Sequence, residues 1–218
     1  MQFLDCWTEL SLLDLVRLLA PAVLLVAIAF LPGLRVARLA AIGVALAIPP
    51  LRELGVSPLL TAAWSLLWLV VAWSAGAPRS AARRPLAPTR GGLEAGTVGL
   101  LLGLVLLALL IATVARQALS PEEARRASYG GLLVVVGILH LMLHGHARRA
   151  SVAFASLGLG LQVLDGAARE AQVSATLPAA GTVLLATALA VALAVRVAVS
   201  RERLAGSAWV SDAHDLHD

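Results

Sequence analysis

The chain has 218 residues, of which 60% are hydrophobic and 14% charged, and its mean hydropathy is +0.88. A soluble globular domain has about 45–50% apolar and about 25% charged residues, so this composition excludes an ordinary soluble domain and predicts a membrane protein. The net charge is +4, but all 17 basic residues are arginines lying between apolar segments, which excludes a nucleic-acid-binding patch and is typical of loops beside membrane helices.

The amino-terminal eleven residues are acidic where a cleavable signal peptide would be basic, so we expect the first apolar span to remain in the mature protein. The chain has a single cysteine, Cys6. One cysteine excludes an intramolecular disulfide and a cysteine-based zinc or iron–sulfur site.

Three apolar segments make up the front half, and the predicted spans are residues 12–31, 36–50 and 58–75. The second is short and ends at Pro49-Pro50, which predicts a tilted or partly buried helix that needs neighbours. On the third, Trp64 and Trp68 are one turn apart and share a face. We expect this face to pack against lipid or other helices, with a quinone or lipid contact as the alternative. Residues 76–94 are rich in Arg, Pro and Gly and predict an exposed basic loop.

Four more apolar segments follow, with predicted spans at residues 95–114, 129–143, 150–168 and 173–199. In the polar stretch 115–128, Ser120 precedes a proline and two glutamates, which predicts the capped start of a short surface helix. The tail, residues 204–218, is polar and acidic and is expected in the cytoplasm.

The predicted fold is therefore all-α: a polytopic integral membrane bundle of about seven transmembrane helices. Residues 1–94 form a three-helix bundle with its basic loop, and residues 95–218 form a four-helix bundle. If the amino terminus is outside, eleven arginines fall on the cytoplasmic side and six on the outer side. The positive-inside rule then predicts an outer amino terminus and a cytoplasmic carboxyl terminus.

The segment from 129 to 168 reads as a membrane hairpin, with two apolar arms around a basic turn. Its second arm carries Asp165, roughly 22 Å along the helix from the turn. An acid within a span is costly and needs a reason. Asp165 is a candidate proton-relay residue, with Gln162 on the adjoining turn. The alternative is an interfacial acid paired with Arg169, four residues on.

Two histidines of the first arm, His140 and His144, are one turn apart and are further relay candidates, since histidine exchanges protons near neutral pH. The alternative for each is a helix-end histidine bonded to a neighbouring helix. A metal site that also includes His146 lacks an acidic or thiol ligand nearby, so we expect no metal. The sequence also lacks a phosphate-binding glycine loop, a nucleophile elbow and a zinc-protease motif, and predicts no catalytic residue.

The turn arginines Arg148 and Arg149 are predicted to fix the topology on the cytoplasmic side, and are able to attract a carboxylate or an anionic lipid headgroup. Small residues predict close helix packing in two places. The pairs concerned are Gly99 with Gly103, and Gly158 with Gly160.

The hairpin resembles the K subunit of respiratory complex I, and more closely the E component of group 4 membrane hydrogenases of the hydrogenase-4 and formate hydrogenlyase types. The resemblance covers about residues 129–218, and the front half matches by architecture. The matching residues are Gly131, Gly137, Arg148-Arg149, Gly158, Gly160, Asp165-Gly166 and the basic exit 196–203.

This resemblance implies a non-catalytic, cofactor-free subunit of a multi-subunit redox complex in the bacterial cytoplasmic (inner) membrane, with antiporter-like subunits and membrane lipid as partners. Such a subunit anchors the redox module and supports coupled proton or ion translocation. The intramembrane glutamates of the K subunit have no counterpart in the hairpin, which favours a structural role. An independent small transporter and an assembly or regulatory membrane protein are the alternatives.

Overall fold

A computed structural model of the chain describes residues 10–30, 34–51, 56–75, 120–143, 146–171 and 181–205, together with helical residues at 101, 103, 105–109 and 112. The described part of the chain is all-helical. Its six continuous helices are α1 (Leu12–Phe30), α2 (Leu34–Ala47), α3 (Pro58–Ala75), α4 (Pro121–Leu143), α5 (Ala147–Ala171) and α6 (Thr182–Ala205).

Five of these helices, all except α2, are long and apolar enough to cross a bilayer. The 14 residues of α2 extend only about 21 Å, whereas a span needs about 20 residues. The predicted first and third spans agree with α1 and α3 to within one residue. The predicted fourth span, 95–114, lies largely outside the described residues.

The start of α4 differs from the prediction. Ser120 is the expected cap: its amide donates to the Glu123 carboxylate at 2.8 Å, and the Glu123 amide donates to its hydroxyl at 3.3 Å. The helix that it caps does not stop at the membrane surface but continues for 23 residues to Leu143. The prediction of a separate short surface helix was wrong, because no proline interrupts the chain after Pro121 and Glu122 pairs with Arg126 one turn on.

The last helix also begins later than predicted, at Thr182 instead of about residue 173. Gly181 immediately precedes it with a φ of 107°, a left-handed backbone conformation that glycine adopts without strain. A right-handed helix cannot continue through such a residue, so α6 starts after it and reaches Ala205.

Helices α4 and α5 form the most extensive helix pair, an antiparallel hairpin as predicted. Its register is fixed by close approaches between Gly130 and Gly160, and between Gly137 and the carbonyl of Ala153. The Ser156 hydroxyl donates to the Leu133 carbonyl at 2.9 Å in the same register. At these points the glycines let the backbone of one helix approach the other closely.

The two glycines of the α5 pair contact different helices, Gly160 contacting α4 and Gly158 contacting α6. A Cβ at Gly160 would lie 2.6 Å from the Gly130 carbonyl oxygen of α4, and a Cβ at Gly158 would clash with the Thr187 side chain of α6. The prediction that Gly158 and Gly160 permit close packing is therefore consistent with both contacts. Gly103 faces the Leu139 side chain, and Gly99 lies outside the described residues.

The front and back halves share one apolar core. Trp64 and Trp68 of α3 are completely buried in it, together with Tyr129 and Leu133 of α4 and Leu159 of α5. The two tryptophans therefore pack between helices and do not face lipid. Trp73, on the same helix, is exposed.

Candidate functional site

Arg148, the second residue of α5, joins the ends of three helices. Its Nε and Nη2 atoms both donate to the Glu202 carboxylate near the end of α6. Its Nη1 donates to the main-chain carbonyl of Ser74, in the last turn of α3, at 2.8 Å. The planar guanidinium fork suits this two-sided arrangement, and it supplies a donor to a carbonyl that the helix itself leaves unsatisfied. We call Arg148, Glu202 and Ser74 the arginine clasp.

The clasp is shielded from solvent: Arg148 is 7% exposed, and the Glu202 side chain is 20% exposed. Its neighbour Arg149 is 4% exposed. Both turn arginines therefore face protein. Of the two anions considered for the turn arginines, a carboxylate or a lipid headgroup, Arg148 contacts a carboxylate, that of Glu202.

His146 caps the first turn of α5 beside the clasp. Its Nδ1 atom accepts the backbone N–H of Arg148 at 3.2 Å, as an N-cap side chain does. Burial lowers the pKa of the His146 imidazole from its usual value; the Glu202 carboxylate opposes this shift, and the charges of Arg148 and Arg149 reinforce it. A neutral imidazole is the form that keeps Nδ1 available as an acceptor.

We expect His146 to make the bundle less stable in mild acid. Because its pKa is lower in the folded state, the unfolded chain takes up a proton first as the pH falls below about 6.5, so stability decreases from there downward. Protonation also removes the cap, which is worth about 1 kcal/mol. The measurement is the unfolding free energy in mixed micelles between pH 8 and pH 5.

The matched variant is His146→Asn, because asparagine caps a helix without titrating in this range. It should keep the stability of the wild-type chain at pH 8 and lose the His146 part of the pH dependence. An identical pH profile in both proteins would contradict the assignment.

The predicted relay residues lie at separate levels of the hairpin. His140 and Gln162 are both buried, at 2% and 3% exposure. In the observed register, however, His140 lies level with about residue 150 of α5, which places it about 18 Å from Gln162 along the helix axis. Asp165 lies another turn beyond Gln162. The described residues therefore do not bring these candidates together, and His144 lies outside them.

Asp165 forms the ion pair that the alternative interpretation predicted. Its carboxylate accepts from Arg169 Nε at 2.7 Å, and both side chains are partly exposed. Asp165 is about 26 Å along α5 from Arg148, close to the thickness of a bilayer's hydrocarbon core. The ion pairs of α5 thus lie near its two ends, with apolar and small residues between them.

This geometry predicts a small effect for Asp165→Asn. A partly exposed pair four residues apart contributes less than about 1 kcal/mol, so unfolding in mixed micelles should change by no more than that. A loss well above 1 kcal/mol would contradict the interpretation of Asp165 as one member of a partly exposed ion pair.

Sequence reasoning missed Glu202 and Ser74. Glu202 lies between Arg201 and Arg203 in the basic exit, and a single acid within a basic run was the available signal. Ser74 contributes only its main-chain oxygen, for which no sequence signal exists. Among the described residues, no group of three His, Cys, Asp or Glu side chains is arranged to hold a metal ion.

Comparison with protein-family models, with curated proteins and with solved structures gives no match for this chain. The site is therefore interpreted from its own geometry.

Proposed function

We propose that the chain is a non-catalytic integral membrane subunit of a redox assembly of the complex I or group 4 hydrogenase kind, located in the bacterial cytoplasmic membrane. In this role it anchors the redox module and supports coupled ion translocation by neighbouring antiporter-like subunits. The residue pattern of the hairpin, from Gly131 to Asp165, is the sequence support for the proposal.

The observation that carries the proposal is the locked hairpin. Helices α4 and α5 meet backbone to backbone, and Arg148 ties the start of α5 to α3 and α6. A transporter working by alternating access must move one helix group against another. A hairpin fixed at its crossing points and at its turn favours a scaffold role.

For the whole chain we propose seven membrane crossings, with the amino terminus outside and the carboxyl terminus in the cytoplasm. The second crossing needs α2 together with the residues that follow it, because α2 alone is too short. The clasp supports this arrangement, because the end of α3, the start of α5 and the end of α6 meet on one side. Positive-inside counting assigns that side to the cytoplasm.

The test is mild solubilisation of the source membranes with an affinity tag on this chain, followed by native electrophoresis and identification of the proteins that migrate with it. We expect antiporter-like and redox subunits in one complex. A chain that migrates alone, and that moves a solute when it is the sole protein in proteoliposomes, would overturn the proposal in favour of an independent transporter.

A further inference from the structure

Helix α6 leaves one long face uncovered. Its outward side chains include a row of large apolar residues spaced four apart, each more than half exposed: Leu185, Leu189, Leu193 and Val197. The row is about 18 Å long. Among the five candidate spans, α6 has the smallest buried share of its apolar window.

The same face ends in positive charge. At 100° per residue, Arg196, Ser200 and Arg203 all lie within about 40° of Leu189 around the helix. All three are exposed, and neither arginine forms an ion pair with any described residue. Arg201, at about 120° from Leu189, lies off this face and is half-buried. We call the apolar row with Arg196, Ser200 and Arg203 the α6 stripe.

The arginines of the α6 stripe lie where a phospholipid headgroup would lie, and its apolar row lies where an acyl chain would lie. Arg203 adjoins Glu202 and therefore lies at the level of the clasp, whereas Arg196 lies about 10 Å deeper along the axis. An exposed arginine at that depth is costly unless its side chain extends towards the headgroup region and meets an anion there. The apolar row begins beside Arg196 and runs away from it into the membrane, where an acyl chain would lie.

We propose that the α6 stripe binds one anionic phospholipid. Arg196 and Arg203 hold its headgroup phosphate, and the Ser200 hydroxyl donates a hydrogen bond to the same phosphate. An acyl chain packs along Leu185, Leu189 and Leu193. Charge complementarity selects this occupant: two guanidinium groups without carboxylate partners in the described chain, at the end of an apolar strip, match an anionic headgroup above a hydrocarbon tail. This site is separate from the subunit function proposed above.

The test measures lipid selectivity of the full-length chain in phosphatidylcholine bilayers. Spin-labelled phosphatidylglycerol and spin-labelled phosphatidylcholine are added in turn, and the protein-restricted fraction of each gives a relative association constant. We expect about fivefold selectivity for the anionic lipid per engaged arginine at low salt. Selectivity should decrease as salt is added, and the double variant Arg196→Gln/Arg203→Gln should reduce it to near one.

The matched control is Arg201→Gln, which removes one arginine charge at about the depth of Arg203 but off the stripe, and should keep the selectivity. It is compared with the single variant Arg203→Gln, which should lose about fivefold. All substituted positions are outside the core, so helix content and size-exclusion profile should match those of the wild type. Equal binding of both lipids by the wild type, or an equal loss in Arg201→Gln, would overturn the site. An acidic partner helix would give a third result that also overturns it: the double variant loses a subunit from the solubilised assembly while lipid selectivity is unchanged.

Discussion

Replacing Glu202 with glutamine should lower the unfolding free energy of the bundle by about 3 kcal/mol, because it leaves the Arg148 guanidinium buried beside an uncharged partner. Arg148 is 7% exposed and holds three helix ends together, so the loss is not confined to one contact. The measurement is reversible unfolding in mixed micelles. Spin labels at the ends of α3 and α6 should also report a broader distance distribution.

The double variant Arg148→Met/Glu202→Leu removes both charges. It tests whether the loss in Glu202→Gln comes from leaving Arg148 buried without a carboxylate or from losing the attraction between the two charges. Replacing a buried ion pair with apolar residues of similar size is often neutral, so this variant should recover most of the loss. The control is Arg17→Gln, which removes a 3.7 Å ion pair to Asp14 whose side chains are about half exposed. It should change stability by no more than about 0.5 kcal/mol. A Glu202→Gln loss as small as that of the control would show that the clasp does not stabilise the bundle.

A single methyl group added at position 160 should weaken the packing of α4 against α5. In Gly160→Ala the new Cβ meets the Gly130 carbonyl oxygen at 2.6 Å and the Val134 backbone nitrogen at 2.8 Å, and neither main-chain atom can rotate away. We expect a net loss of about 1 kcal/mol, since an overpacking cost of about 2 kcal/mol exceeds the gain of about 1 kcal/mol in helix propensity. Disulfide crosslinking between cysteines introduced into α4 and α5 should also slow.

The matched control is Gly43→Ala in α2, the same chemical change within a helix. There the new Cβ meets only the Leu24 side chain, whose nearest atom is 2.9 Å away and can move to another rotamer. This variant should be neutral or slightly stabilising. If both alanine variants behave alike, the close approach of α4 and α5 does not limit stability.

The sequence predicted helices well where local signals mark both ends. The boundaries of α1 and α3 followed from the lengths of their apolar segments. The start of α6 was misplaced because apolar residues precede Gly181, and the left-handed φ that ends the turn cannot be read from hydropathy. The cap at Ser120 was predicted, but the length of the helix that it caps was not. Charged residues in a first turn are compatible both with a short surface helix and with the start of a long one.

The candidate site was less predictable because its contacts are tertiary. Arg148 and Glu202 are 54 residues apart, and the spacing of charges along the chain does not reveal which helix ends meet. Glycine spacing predicted close packing on α5, yet the assignment of Gly160 to α4 and Gly158 to α6 required the observed register. The same register places His140 about 18 Å from Gln162 along the helix axis. The two residues lie on different helices, so their spacing in the sequence does not predict this distance.

Because Arg148 contacts a main-chain oxygen at position 74 and a side chain at position 202, the two positions are expected to tolerate substitution differently. Small residues can replace one another at the buried position 74, since every residue type supplies that carbonyl and the Ser74 hydroxyl bonds only to Val71 of its own helix. Positions 148 and 202 are not free in this way. A lysine cannot reproduce the planar fork, so the two should be exchanged together or not at all.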